Sequence, residues 1–226
     1  MKKLLIFDAY GTLISSGTSS IDSTKKILSL QDKEIDPVLF YADWKQIHRK
    51  HFDECNEKQF ITEWEIYRQD LKVLYEKYDI KRPYQEDVKI MLAAQYNRKV
   101  FDDVMDTIFI LKKDFRVVIG STSDTQPLLK NLKDNHLDID QVYTSERIQK
   151  YKPSKDFYKY ILNKEKVKAE ETIFIGDSLI DDIQGPSLLY MSTILIDRFY
   201  NYKEGKIKPD YVIHHLNEIL DIVKVI

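Results

Sequence analysis

Short apolar runs of strand length alternate with helical patterns through most of the chain, and this alternation constrains the fold more than any other feature of the sequence. Four consecutive apolar residues, Leu4 to Phe7, predict a fully buried strand. From Phe101 onwards, further strands are predicted between helical patterns, at residues 116–121, 141–145, 172–177, 192–196 and 211–213. Strands that alternate with helices predict an α/β fold, a doubly wound parallel sheet with helices on both faces.

Residues 16–96 differ from the rest, because they contain few β-branched runs and many helix formers. Asp36 and Pro37 are typical of a helix start, where an N-cap precedes proline at the first helical position. Apolar residues then recur at helical spacing, at Leu39, Phe40, Trp44, Ile47 and Phe52. We therefore predict an all-helical cap domain over residues 16–96, inserted into an α/β core made of residues 1–15 and 97–226.

Charge and cysteine content exclude several classes of protein. The formal net charge is -2 over 226 residues, which argues against a surface dedicated to nucleic acid or to a membrane. A single cysteine, Cys55, excludes an intrachain disulfide and a cysteine metal cluster. The apolar run before Asp8 is too short for a signal peptide, and no stretch reaches the roughly 20 apolar residues of a membrane span. We expect a cytoplasmic protein, either monomer or homodimer, with no nucleic-acid or membrane partner.

Reactive side chains follow three of the predicted strands. Asp8 ends the first strand, Ser121 ends the second, and Asp177 ends a later one, while Lys152 lies in a loop between them. Parallel strands bring their carboxyl ends to one edge of the sheet, where α/β proteins bind their ligands. A carboxylate there can act as a nucleophile. Two carboxylates with an aqueous edge suit Mg²⁺, and a lysine and a hydroxyl would hold a transferring phosphoryl group.

These residues resemble the four motifs of the haloacid dehalogenase-like hydrolase superfamily, in the order and strand context of that family. The matching segments are residues 8–13, 119–124, 152–153 and 176–182. Each motif alone is weak evidence, but four in order are strong. The predicted cap is similar to that of the subgroup with a helical cap inserted after the first motif. The resemblance implies a Rossmann-like core, a small anionic substrate and a Mg²⁺ cofactor.

The resemblance also implies a role for each matching residue. Asp8 would be the nucleophile, and Asp177 would be the main metal ligand together with Asp8 and the backbone carbonyl of Tyr10. Asp182 would support the metal or order Lys152, with its neighbour Asp181 as the alternative that the spacing leaves open. The implied catalytic set is completed by Lys152 and Ser121, and the implied substrate-binding residues are Tyr10, Ser121, Thr122 and Lys152.

Tyr10 departs from the phosphatase pattern of the family. Most phosphatases of the superfamily carry an acid at this position, which protonates the leaving group, and tyrosine is a poor general acid near neutral pH. The sequence from Asp8 to Thr12 instead resembles the metal-independent 2-haloacid dehalogenases. The fourth motif, with Asp177 after Gly176, resembles the metal-binding phosphatases, and the dehalogenases' halide-binding cap arginine is matched loosely by Lys45.

The sequence is therefore compatible with three functions. The first is Mg²⁺-dependent hydrolysis of a small phosphate ester through an aspartyl-phosphate intermediate. The second is metal-independent dehalogenation of a 2-haloacid, which Tyr10 favours and Asp177 disfavours. The third is a catalytically weak binding or regulatory protein that retains the fold, for which the missing acid at Tyr10 is the only support.

Overall fold

The computed structural model describes residues 3–225 and contains one six-stranded sheet. Every neighbouring pair of strands is parallel, and their order across the sheet is β3-β2-β1-β4-β5-β6. The strands are β1 (Leu4–Phe7), β2 (Arg116–Ser121), β3 (Gln141–Thr144), β4 (Thr172–Gly176), β5 (Ser192–Ile196) and β6 (Tyr211–Ile213). The predicted α/β sheet is confirmed, and β1 lies at its centre.

Ten α-helices connect or flank the strands in the described residues. They are α1 (Ser19–Leu28), α2 (Pro37–Glu57), α3 (Glu63–Lys77), α4 (Tyr84–Ala93), α5 (Val104–Leu111), α6 (Thr125–Asp134), α7 (Ser145–Ile148), α8 (Lys155–Glu165), α9 (Gly185–Ser187) and α10 (Ile219–Ile222). Shorter 3₁₀ turns occupy Ala169–Glu171 and Leu216–Glu218, and a wide π-type turn occupies Leu179–Gln184. Among residues 3–225, no helix is both long and apolar enough to cross a membrane.

Alternate residues of β1 enter two different hydrophobic clusters. Leu5 and Phe7 belong to the cluster on one face of the sheet, and Leu4 and Ile6 belong to the cluster on the other. All four side chains are fully buried. Helices therefore cover both faces of the sheet, as expected for a strand that reads as a continuous apolar run.

Helices α1–α4, which we call the helical insertion, pack around a hydrophobic cluster of their own. Its buried members include Ile27, Phe40, Trp44, Leu71 and Val88. Asp36 caps α2 as predicted, since its side chain accepts a hydrogen bond from the backbone N–H of Val38 at 2.8 Å, and Pro37 occupies the first turn.

Several predicted boundaries are wrong. The sequence predicts a helix over residues 180–190 with an irregularity at Pro186, but the structure divides this region into the π-type turn Leu179–Gln184 and the short α9. The sequence predicts a helix over residues 104–115, but α5 ends at Leu111. It also predicts a small polar linker over residues 15–20, but α1 begins at Ser19. Helix α7 was not predicted, because four residues are too few to show a helical period.

Candidate active site

Three carboxylates meet at the carboxyl edge of the sheet. Asp8 follows β1 and Asp177 follows β4, and these two strands are direct neighbours. Asp182 lies in the π-type turn, where its Oδ2 accepts a hydrogen bond from the backbone N–H of Ser178 at 3.0 Å. Each of the three acids offers one oxygen, and these oxygens all lie within 4.8 Å of one another. We call this group the acidic centre.

Lys152 is bound to two members of the acidic centre. Its Nζ donates to Asp8 Oδ1 at 2.7 Å and to Asp182 Oδ1 at 2.6 Å, and the residue is only 1% exposed. Burial lowers the pKa of Lys152, but the carboxylates of Asp182 and Asp8 outweigh it and raise this pKa above its usual range. Lys152 therefore remains a cation. Asp182, rather than Asp181, is the acid that orders it.

Asp177 lies against the loop that follows β1. Gly11 adopts a positive φ of 95°, and a Cβ atom there would lie 2.3 Å from Asp177 Oδ2, so only glycine fits between the loop and the carboxylate. Thr12 Oγ1 donates to Asp177 Oδ1 at 3.4 Å. Although Asp177 keeps access to solvent, the protein atoms around it and the charge of Asp8 raise its pKa to about 7.

Charge and donor chemistry at the acidic centre fit a hard divalent cation. When all groups are ionised, three carboxylates face the single ammonium of Lys152, which leaves an excess of two negative charges. Burial and the neighbouring acids also raise the pKa of Asp182, although Lys152 opposes this effect. Clustered carboxylate oxygens are the ligands that Mg²⁺ and similar cations prefer. A cation bound here would offset the repulsion among the acids.

Ser121 and Thr122 lie beside the acidic centre without bonding to it. Ser121 ends β2, next to β1, and its Oγ is 3.0 Å from Ser123 Oγ and accepts the backbone N–H of Ser123 at 3.3 Å. Thr122, the next residue, is half-buried. Within residues 3–225, neither hydroxyl is hydrogen-bonded to Asp8. Ser121 ends the strand next to β1 and Thr122 follows it, so both residues lie at the carboxyl edge of the sheet.

The hydroxyl of Tyr10 is bonded outside the acidic centre. It accepts a hydrogen bond from Asn131 Nδ2 at 3.0 Å, and the guanidinium of Arg98 lies 4.7 Å from the centre of its ring. Burial raises the pKa of Tyr10 to about 12, although the hydrogen bond from Asn131 and the charge of Arg98 oppose the effect. A phenol with this pKa is a weaker proton donor near neutral pH than an ordinary tyrosine.

An arginine that sequence reasoning missed holds the loop after Asp8. Arg198 Nη2 and Nε donate to the backbone carbonyl of Thr12 at 2.8 and 3.2 Å, and its guanidinium pairs with Asp103 at 2.9 and 3.0 Å. The arginine also stacks on Phe101, 3.9 Å from the ring centre. Arg198 therefore holds the backbone carbonyl of Thr12 in place, and the hydroxyl of Thr12 donates to Asp177. No sequence pattern connects positions 12, 103 and 198.

The helical insertion is bound to the core next to the acidic centre. Arg49 Nη1, on α2, donates to Asp181 Oδ1 at 2.7 Å. Asp124, three residues after Ser121, accepts the backbone N–H groups of Glu63 and Trp64 at 2.9 and 3.0 Å, so a core side chain caps the first turn of α3. A charged residue in this helical pattern is predicted to lie on a solvated face. Arg49 instead forms an ion pair between the insertion and the core.

The parallel sheet, the inserted helices and the acids around Lys152 define an α/β protein with a candidate ligand site at the carboxyl edge of its sheet. A family model described as haloacid dehalogenase-like hydrolase matches residues 2–187. The chain therefore belongs to the haloacid dehalogenase-like hydrolases, which confirms the resemblance and the prediction that it is an enzyme.

The chain is similar in sequence to a named phosphatase, and in fold to solved structures that include a dehalogenase. The chain is 28% identical over 183 residues to a glyceraldehyde 3-phosphate phosphatase of Methanocaldococcus jannaschii, covering 77% of this chain and 72% of that protein. A magnesium-bound structure of the putative HAD-hydrolase YfnB from Bacillus subtilis matches with a TM-score of 0.81 at 22% identity over 99% of both chains. L-2-haloacid dehalogenase from Xanthobacter autotrophicus matches with a TM-score of 0.82 at 17% identity over 100% of both chains. At these identities the two structural matches show the fold alone.

Proposed function

We propose that this hydrolase acts on a small phosphate monoester with Mg²⁺ as its cofactor and Asp8 as its nucleophile. The observation that carries the proposal is the excess of negative charge at the acidic centre, where Lys152 balances only one of three carboxylates. A metal-independent reaction would have no need to keep Asp177 and Asp182 so close to Asp8. The similarity to a named phosphatase of Methanocaldococcus jannaschii supports the same reading.

Each residue of the site has a proposed part in the reaction. Asp8, Asp177 and the backbone carbonyl of Tyr10 would hold the metal, with Asp182 in support. A bound Mg²⁺ would supply electrostatic stabilisation of the charge on the phosphoryl oxygens. Lys152 would move its hydrogen bond from Asp8 to the phosphoryl group, and the hydroxyls of Ser121 and Thr122 would donate to the same group.

The reaction would proceed in two displacements at phosphorus. In the first, a carboxylate oxygen of Asp8 forms a bond to phosphorus while the bond from phosphorus to the ester oxygen breaks, and the departing oxygen takes a proton from water. In the second, water adds to phosphorus and the acyl phosphate bond breaks, which releases inorganic phosphate and regenerates the Asp8 carboxylate. Lys152 remains protonated throughout, consistent with its raised pKa.

Tyr10 limits the choice of leaving group. Its hydroxyl is bonded to Asn131 and its pKa is raised to about 12, so it supplies no efficient acid for an alkoxide. We therefore expect faster hydrolysis of esters whose leaving oxygen is already stable as an anion. The helical insertion, bound to the core through Asp181 and Asp124, would act as a cap that restricts the site to small substrates.

A second candidate function is dehalogenation of a 2-haloacid. Tyr10 favours it, since expulsion of halide needs no acid at that position. In this reaction Asp8 would displace halide from carbon, and water would then hydrolyse the resulting ester. The acidic centre argues against it, because Asp177 and Asp182 would repel both the substrate carboxylate and the departing halide.

One panel of substrates separates these functions. Release of p-nitrophenol from p-nitrophenyl phosphate and release of chloride from 2-chloropropionate are measured with Mg²⁺ and with chelator. We expect phosphate hydrolysis that requires Mg²⁺ and is lost in Asp8→Asn. Chloride release in the presence of chelator would contradict the proposal and support the dehalogenase. Turnover of neither substrate class, nor of any of a wider panel of phosphate esters, would favour a binding or regulatory protein.

A further inference from the structure

Tyr151 belongs to the core loop that carries Lys152, but its side chain is buried in the helical insertion. Its ring stacks on Phe52 of α2 at 4.1 Å and on Phe60 at 5.1 Å between ring centres. Its hydroxyl donates to the backbone carbonyl of Ile61 at 3.0 Å, and the whole residue is 0% exposed. The residue next to Lys152 is therefore enclosed by inserted chain rather than by the core that surrounds Lys152.

Asn56 binds both main-chain polar groups of Tyr151. Its Nδ2 donates to the carbonyl oxygen of Tyr151 at 3.0 Å, and its Oδ1 accepts the N–H of Tyr151 at 2.8 Å. Lys150 adds a third bond, because its Nζ donates to the backbone carbonyl of Asn56 at 2.8 Å. Asn56 lies in the last turn of α2, so one end of an inserted helix holds the core loop at residues 150 and 151.

The hydrogen bond from Asn56 to the carbonyl of Tyr151 bears on the position of Lys152. The carbonyl that Asn56 binds belongs to the peptide unit joining Tyr151 to Lys152, and this unit is planar. Fixing that carbonyl therefore fixes the direction in which the Lys152 backbone leaves Tyr151. At the other end of the side chain, Nζ must reach Asp8 and Asp182 at 2.7 and 2.6 Å.

We propose that Asn56 is a positioning residue for Lys152, so that docking of the helical insertion and correct placement of the lysine occur together. The proposal rests on the role of Lys152 in the proposed function. An insertion displaced from the core would release Tyr151 and would leave Lys152 without its support from α2. Closure over a substrate would then complete the site as well as exclude water.

Other contacts hold the insertion on the core without touching this loop. Arg49 pairs with Asp181, and Asp124 caps the first turn of α3. The insertion therefore retains these polar attachments outside the loop when Asn56 is replaced, and the effect on Lys152 can be separated from general loss of docking.

The first test replaces Asn56 and follows hydrolysis of p-nitrophenyl phosphate with Mg²⁺. In Asn56→Ala we expect kcat to fall by about 10- to 100-fold, as for other small misplacements of a catalytic group, with KM changed by less than about threefold. Asn56→Asp keeps the acceptor for the N–H of Tyr151 but loses the donor to its carbonyl, and we expect it also to lower kcat. Glu57→Ala, an exposed neighbour on the same turn, is the matched control. An unchanged kcat in both Asn56 variants would overturn the proposal.

A double-mutant cycle with Lys152→Arg shows whether Asn56 acts through the lysine. If it does, Asn56→Ala costs much less in the Lys152→Arg background than in the wild type. A full and independent loss in that background would assign Asn56 a general packing role and overturn the proposal. Asp124→Ala serves as the comparison, since it weakens docking at the first turn of α3 and is expected to be additive with Lys152→Arg. If Lys152→Arg alone left kcat unchanged, the proposed function would fail instead.

Thermal melting of each variant shows that it is folded, and Asn56→Asp supplies the test if Asn56→Ala does not fold.

Discussion

The surroundings of Asp70, in the helical insertion, differ sharply from those of the acidic centre. In the helical insertion, the fully buried Asp70 accepts hydrogen bonds from Trp44 Nε1 at 2.9 Å, His48 Nδ1 at 2.6 Å and His51 Nδ1 at 2.5 Å. Burial raises the pKa of Asp70, but the hydrogen bonds from His48 and His51 outweigh it and lower this pKa below its usual range. One carboxylate is therefore surrounded by three donors.

The acidic centre has the opposite balance. Asp8, Asp177 and Asp182 share the single cation Lys152, and burial and mutual repulsion raise the pKa of Asp177 and Asp182. Asp70 has the donors that stabilise its ionised form, whereas the acidic centre has one positive charge for three carboxylates. We expect from this difference that Asp70 stabilises the fold, and it supports the proposal that the acidic centre is maintained for metal binding at a cost in stability.

The largest expected effect concerns the nucleophile. Asp8→Asn removes the attacking oxygen, and we expect kcat for p-nitrophenyl phosphate to fall by about 10⁴-fold or more, as when other catalytic nucleophiles are removed. The control is Asp70→Asn, which makes the same chemical change in the insertion and should leave kcat within about fivefold where the protein is folded. Substantial turnover by Asp8→Asn would refute the assignment of the nucleophile.

Replacement of Asp70, which should have little effect on kcat, should lower the stability of the fold. Asp70→Asn removes the charge that three donors surround, and we expect the free energy of unfolding to fall by about 2–4 kcal/mol. Urea denaturation monitored by circular dichroism measures the change. Glu76→Gln, at an exposed position of the same helix, is the control and should change stability by less than about 0.5 kcal/mol. An equally small effect at Asp70 would remove the distinction between the two groups.

Replacement of Tyr10 with an acid should speed the hydrolysis of esters with poor leaving groups. Tyr10→Asp introduces a carboxylic acid two residues after Asp8, and we expect hydrolysis of glycerol phosphate to rise by about 100-fold relative to p-nitrophenyl phosphate, the usual scale of general acid catalysis. Tyr10→Phe, which removes the hydroxyl without adding an acid, should leave the ratio of the two rates unchanged. The same increase in Tyr10→Phe would show that loss of the tyrosine hydroxyl, rather than gain of a proton donor, decides the rate.

The smallest effect should be a gain in stability at the acidic centre. Without metal, Asp177→Asn removes one of the crowded negative charges, and we expect the free energy of unfolding to rise on the order of 1 kcal/mol. The measurement is the urea midpoint in chelator, compared with Asp70→Asn under the same conditions. A loss of stability in Asp177→Asn similar to that in Asp70→Asn would show that the acidic centre is satisfied without a cation.

The features that could be predicted are those that depend on local motifs and on the order of strands and helices along the sequence. Asp8 and Asp177 were placed correctly at one sheet edge, because the rule that brings parallel strand ends together needs only the order of strands and helices. Lys152 was identified through its motif. The choice between Asp181 and Asp182 was left open, and it depends on the π-type turn, which directs Asp182 to Lys152 and Asp181 to Arg49.

Contacts between distant segments could not be predicted. Asn56 and Tyr151 are 95 residues apart, and Thr12 and Arg198 are 186 residues apart. Each contact forms only when the elements that carry the two residues pack together. The surroundings of Asp70 were missed for the same reason, although all four residues lie in neighbouring helices. Residue type and spacing reveal groups able to react, but they do not reveal which partners satisfy those groups.

The most direct test of the contrast between the two groups of acids is calorimetric titration of the metal-free protein with Mg²⁺. We predict that the wild type and folded Asp70→Asn each bind one Mg²⁺ ion per chain, and that Asp177→Asn loses this binding. Absence of binding to the wild type, or equal binding to Asp177→Asn, would contradict the conclusion that the acidic centre is maintained for a divalent cation.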